Sequence, residues 1–155
     1  MIEGAALSVR RTALFATLAA TAALAPAATA AAAPNPYSPR EVCGSGFQVI
    51  DRHRDVPKRG KRVHMATTYL LYEAATGRNC ATTIKHRQVG VPTYTAVSLK
   101  PKGRLAAWLV DYGDFAYYAG PVYRHAPGRC VRYGSALAFP NGRESLFISP
   151  FGHCR

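Results

Sequence analysis

The chain has 155 residues, with 20 Lys and Arg against 8 Asp and Glu for a formal net charge of +12, and 4 Cys. Once a leader is removed, that length allows one domain and is too short for two. So basic a balance favours anionic partners such as wall polymers, lipid head groups or nucleic acid, with simple surface solubility as the rival; it argues about association and not about fold.

Residues 1–30 read as a secretory signal peptide. Arg10-Arg11 gives the positive n-region, Thr12 to Ala25 is a short apolar run, and Ala28-Thr29-Ala30 offers an A-x-A cleavage site, with Ala32 next in line. The run falls short of the roughly 20 apolar residues that span a bilayer, so a transmembrane anchor is rejected. Arg10-Arg11 before Thr12 is a weak twin-arginine signal, and an ordinary export signal is preferred. Residues 1–33 contain Arg10, Arg11 and Glu3, so the remainder keeps 18 basic and 7 acidic side chains.

Residues 31–45 form an extended, proline-rich lead-in, because Pro34, Pro36 and Pro39 cannot sit inside a paired strand. Residues 46–155 are read as one all-β domain. Cys43-Gly44-Ser45-Gly46 turns into a short first strand, Phe47 to Asp51. Arg52 to Arg62 then carries Arg52, Arg54, Lys58, Arg59, Lys61 and Arg62 with Asp55 as its only acid. Without apolar periodicity, this stretch reads as a solvated, mobile loop.

Thr67 to Glu73 and Asn79 to Lys85, joined through Gly77, form the central β-hairpin. Its first strand is apolar or aromatic on both faces, which predicts cover on both sides. Thr93 to Leu99 alternates as a strand. Leu105 to Asp111 is read as a strand carrying Trp108, since a helix over 104–110 would be too short. Tyr112-Gly113-Asp114 is read as a turn, with Asp111 and Asp114 capping it, and Phe115 to Tyr118 as another strand. Cys130 to Tyr133 follows Pro127-Gly128, and Asn141-Gly142 signals a type I′ hairpin between Ala138-Phe139 and Leu146 to Ile148. Short strands at this spacing predict a small antiparallel sandwich or barrel of seven to eight strands.

Cys43, Cys80, Cys130 and Cys154 all follow the cleavage site, and an even number in a small exported domain reads as two disulfides. No C-x-x-C supports zinc, and no metal or cofactor is expected. Three connectivities are open. The local pairing of Cys43 with Cys80 and Cys130 with Cys154 is preferred because it staples each end of the domain separately.

Nothing in the spacing of His53, His64, His86, His125 and His153 suggests metal or triad chemistry, and no G-x-S-x-G is present. A small basic nuclease would need an acid and a base; Glu73, His64 and His86 are the nearest candidates, without a spacing that singles them out. Tyr69, Tyr72, Tyr94, Tyr117, Tyr118 and Tyr123 read as core or core rim rather than as a stacking platform for nucleic acid.

An ordered set of stretches adds to this reading. Asn35-Pro36-Tyr37-Ser38-Pro39, Val42 to Gly46, Val49-Ile50-Asp51, Tyr69 to Tyr72 with Gly77 and Asn79-Cys80, and Phe115 with Tyr117 to Val122 make up its first part. Ala126-Pro127-Gly128 with Cys130-Val131, and Ser149-Pro150-Phe151 with His153-Cys154, complete it. Together they resemble the spore-associated protein A family of filamentous, spore-forming actinobacteria. The resemblance implies export and a place at the spore surface, and it supplies no catalytic residue. The basic stretch Arg52 to Arg62 looks longer than the family's turn. Arg132-Tyr133-Gly134 stands where a Trp is familiar, and Gly152 where an acid is.

The expectation is a secreted, disulfide-stapled, non-enzymatic protein at the spore or cell surface. The basic stretch would bind anionic wall or spore-coat polymers. A nuclease and a secreted inhibitor or antimicrobial protein, presenting a loop near Cys130, are the alternatives.

Overall fold

The computed structural model describes residues 33–103 and 105–155. The expected signal peptide lies outside them. Among the described residues the fold is one short helix, α1 (Pro39–Cys43), followed by eight strands: β1 (Gln48–Asp55), β2 (Ala66–Glu73), β3 (Arg78–Lys85), β4 (Thr93–Pro101), β5 (Leu109–Phe115), β6 (Tyr118–His125), β7 (Val131–Ala138) and β8 (Glu144–Ile148). They form two antiparallel four-stranded sheets, ordered β1-β2-β3-β6 and β5-β4-β7-β8. The all-β expectation holds, as does the preferred pairing: Cys43 is bonded to Cys80 and Cys130 to Cys154. No described helix is long and apolar enough to cross a membrane.

The inward faces interdigitate because each strand alternates. Leu70, Ala81, Ala119 and Val122 of the first sheet pack with Val97, Leu99, Val131 and Tyr133 of the second. Burying a side chain such as Leu70 stabilises by about 1.5–3 kcal/mol. The open edges are closed by side chains. At one, Asp111 Oδ2 on β5 accepts from the Gly120 amide on β6 at 2.7 Å. At the other, the His53 ring of β1 stacks on Phe147 of β8 with centroids 3.5 Å apart, and His153 Nε2 meets Asp51 Oδ2 at 2.9 Å.

Several expectations about local structure are corrected. Two concern strands: β5 starts only at Leu109, so Trp108 precedes it, and Ala116-Tyr117 is the bend between β5 and β6 rather than part of a strand. The lead-in is not extended throughout, since residues 39–43 form α1. Ser38 Oγ accepts from the Glu41 amide, the Glu41 carboxylate accepts from the Ser38 amide, and Pro39 occupies the first turn. Residues 112–114 are not a turn: Tyr112, Gly113 and Asp114 pair with Ala96, Thr95 and Tyr94, so β5 runs on to Phe115. A glycine and an aspartate in a half-exposed edge strand mimic turn residues. The Asn141-Gly142 hairpin is not type I′ either. The Gly142 amide bonds to Phe139 O at 3.0 Å and the Phe139 amide to Arg143 O at 2.9 Å. This makes a three-residue loop with Gly142 alone at positive φ, because Pro140 is fixed at negative φ.

The Leu71 end of the outward face of β2 is covered, in keeping with its two-sided apolarity. Cys43 and Phe47 lie over Leu71 and Cys80, flanked by Tyr69 and Tyr123. The lead-in is strapped down further by Asn35 Nδ2, which donates to Lys85 O (3.0 Å) and Tyr117 O (2.7 Å), and by Tyr37, packed edge-on against Tyr117 and Tyr118.

Candidate anion-binding surface

The predicted basic loop is in part a strand, which corrects the sequence reading. β1 continues to Asp55, so Arg52 and Arg54 project from it, and only Lys58, Arg59, Lys61 and Arg62 lie in the loop that follows. The extension depends on polar residues that point between the sheets. His53 stacks on Phe147, and Asp55 is fully buried. Asp55 Oδ2 accepts from Thr68 Oγ1 at 2.7 Å and its Oδ1 from Ser135 Oγ at 2.6 Å. Thr83 Oγ1 lies 2.9 Å from Thr68 Oγ1 and 3.4 Å from Ala96 O of the opposite sheet, to which it donates. Burial pushes the Asp55 carboxyl above the ordinary carboxylate range, with Ser135 and Thr68 opposing that shift. The loop is pinned at both ends: the Lys58 amide bonds to Glu144 O and the Met65 amide to Asp55 O, each at 2.9 Å.

Strand alternation then sorts the charges. Asp51, His53 and Asp55 face inward, and Arg52 and Arg54 face out, opposite Tyr69 and Thr67 of β2. All six predicted basic residues are exposed. The only oppositely charged pair within 4.0 Å among the described residues is His153 with Asp51, so none of the six has an acidic partner there. Arg52 and Arg54 line one concavity, Lys58 and Arg59 a second beside Glu144, and Lys61 a third with Arg87 and Arg143. Arg62 is exposed and lines none of these.

The first concavity has a composition that sequence reading missed. The β2–β3 register, with Ala66 opposite Lys85, brings the residues just outside the paired segments together. His64 Nε2 and His86 Nε2 lie 2.8 and 2.9 Å from the same atom, Thr67 Oγ1, and their ring centroids are 4.1 Å apart. Arg52, Arg54 and Tyr69 complete a pocket of about 390 Å³ with no carboxylate in its lining. Partial desolvation holds both imidazoles below their ordinary value. For His64, the His86 ring and then Arg54 add to the effect; for His86, Arg54 does.

Other candidates separate. Glu73 sits at the opposite end of β2, opposite Arg78 and hydrogen-bonded to Thr76, roughly 20 Å along the strand from Thr67. The trio of Glu73, His64 and His86 is therefore not assembled. Tyr69, Tyr72, Tyr118 and Tyr123 are half-buried, whereas Tyr94 and Tyr117 are exposed at 40% and 37%. Lys85 is fully buried, its Nζ donating to Val91 O, Thr93 Oγ1 and Phe115 O at 2.7, 2.6 and 2.8 Å, and burial lowers its pKa to about 8. These contacts tie strand ends and loops together. Among the described residues no three His, Cys, Asp or Glu side chains converge as a metal site.

The outer face of the second sheet is apolar, with Tyr94, Val110, Tyr112, Leu146 and Ile148 all exposed. Nothing in the alternation of β5 or β8 announced it.

No family model matches the chain, and no solved structure matches it. A curated protein does. Over 113 residues, 73% of this chain and 68% of that protein, the chain is 40% identical to Spore-associated protein A of Streptomyces coelicolor (strain ATCC BAA-471 / A3(2) / M145).

Proposed function

Because this chain belongs to the spore-associated protein A family, we propose that it is an exported, spore-associated, non-catalytic β-module held to anionic wall or coat polymers by its basic surface. One observation carries the reading: Arg52, Arg54, Lys58, Arg59, Lys61 and Arg62 are all exposed, and no described acidic side chain lies within 4.0 Å of any of them. Unpaired surface cations at this density create a field that attracts polyanions and weakens with salt. The two disulfides, Cys43–Cys80 and Cys130–Cys154, fit an oxidising extracellular compartment. The relative's name supports the spore as the destination.

The test is extraction of intact spores with salt. At roughly 0.5 M, where the screening length is only a few ångström, the protein should leave the spore. Retention would contradict electrostatic tethering. An activity gel containing RNA and an incubation with proteases separate this reading from a nuclease and an inhibitor; neither a cleared band nor a stoichiometric complex is expected.

A further inference from the structure

Resting on the reading that this surface meets anions, we propose that the pocket formed by Arg52, Arg54, His64, Thr67, Tyr69 and His86 is a binding site for a phosphoryl group, taken up together with protons by the histidine pair. The pocket gathers donors and no acid. Arg52 and Arg54 lie two residues apart on one face of β1, opposite Tyr69 and Thr67, and the two imidazoles converge on Thr67 Oγ1 at 2.8 and 2.9 Å. Two planar guanidinium forks beside a pair of imidazoles around one hollow suit a tetrahedral group with several oxygens better than a flat carboxylate with two.

The empty arrangement is electrostatically costly. The groups facing the imidazoles are Arg52 and Arg54 from β1, Thr67 and Tyr69 from β2, and Arg87 just beyond β3. None is negative at neutral pH, so like charges crowd and the histidines resist protonation. A bound phosphate reverses that balance. It offers acceptors to both guanidiniums, and its negative charge removes the penalty of protonating the two rings beside them. With the rings protonated, Thr67 Oγ1 can accept from one or both of them. Affinity must then rise as pH falls through the imidazole range.

The test uses the exported protein at low salt, with a short glycerol phosphate oligomer or inorganic phosphate as the ligand and acetate as the control. The oligomer's diester groups do not titrate in this range, so their pH dependence reports the protein. Calorimetry should show binding roughly tenfold tighter at about pH 5.5 than at about pH 8, as one linked proton allows. In wild-type protein, the imidazole NMR titrations of His64 and His86 should move upward with ligand while those of His53 and His125 stay. H64Q combined with H86Q should abolish the pH difference, and R54Q should weaken binding roughly tenfold. Equal affinity at both pH values, with the wild-type titrations of His64 and His86 unmoved, overturns the site whether or not the variants fold. Tighter binding of the oligomer assigns the phosphoryl group to a polymer, and equal binding assigns it to free phosphate; both support the site. Salt-released protein with unmoved histidines leaves adhesion standing and removes the pocket. Salt-resistant protein with shifted histidines does the reverse.

Discussion

His64 and His86 are held 4.1 Å apart, ring to ring, by one hydroxyl that each approaches through Nε2. A hydroxyl has one hydrogen to give, so when both rings are neutral one Nε2 accepts from Thr67 and the other donates to it. Two cations at this spacing, with Arg54 opposite Thr67, repel one another.

Acid should therefore weaken the fold through this pair. Both imidazoles are held below their ordinary value of 6.5 in the folded chain, so their contribution to stability is present above that value and lost as pH falls toward the folded value. In phosphate-free buffer, the urea midpoint should drop between about pH 7.5 and 5, and H64Q/H86Q should reduce the drop. An unchanged drop would place the acid sensitivity elsewhere.

Asp55 has the opposite sign. Burial raises its carboxyl above 3.8, so its contribution is full below that value and is lost as pH rises through the folded value. Relative to D55N, which stays neutral, wild-type stability should fall as pH rises from about 3 to 7. D55A should cost about 2–4 kcal/mol, because Thr68 and Ser135 lose their acceptor inside the sandwich. A urea titration of the three proteins decides it. A flat difference between wild type and D55N would show the carboxyl is not strained by burial.

The lead-in strap should matter as much as a core residue. The Cys43–Cys80 bond closes a separation of 37 residues and Cys130–Cys154 one of 24. On the chain-entropy argument each stabilises by about 3.5–4 kcal/mol. C43A/C80A should lose about that amount and expose Leu71 and Phe47, seen as faster amide exchange in β2 and β3. N35A should cost about 1 kcal/mol, since its side chain joins the strap to Lys85 O and Tyr117 O. Unchanged exchange in C43A/C80A would mean the strap is not a cover.

Much of this was legible from residue types. Thr93 to Leu99 alternates cleanly and lies within β4, and the two-sided apolarity of β2 implied the cover that Cys43 and Phe47 provide. The local cysteine pairing, preferred among three open connectivities because it staples each end of the domain, is the one present. What escaped notice had one cause, polar residues doing structural work. β1 looked like the start of a loop because its inward positions are His53 and Asp55, satisfied by Thr68 of the neighbouring β2 and by Phe147 and Ser135 of the second sheet. The signal for α1 is Ser38-Pro39 with Glu41, a capping box with proline in the first turn, and the surrounding prolines mask it. The histidine pair could have been found by extending the hairpin register past Ala66 and Lys85. The apolar face of the second sheet had no such signal, because exposed Leu146 and Ile148 read as any strand would.

The most direct measurement follows the tagged protein through sporulation with Arg52, Arg54, Lys58, Arg59, Lys61 and Arg62 all replaced by Gln. The folded variant should be exported and found in the medium, while wild type stays on the spore until salt is added. A folded variant that remains on the spore as tightly as wild type would contradict electrostatic tethering by this surface.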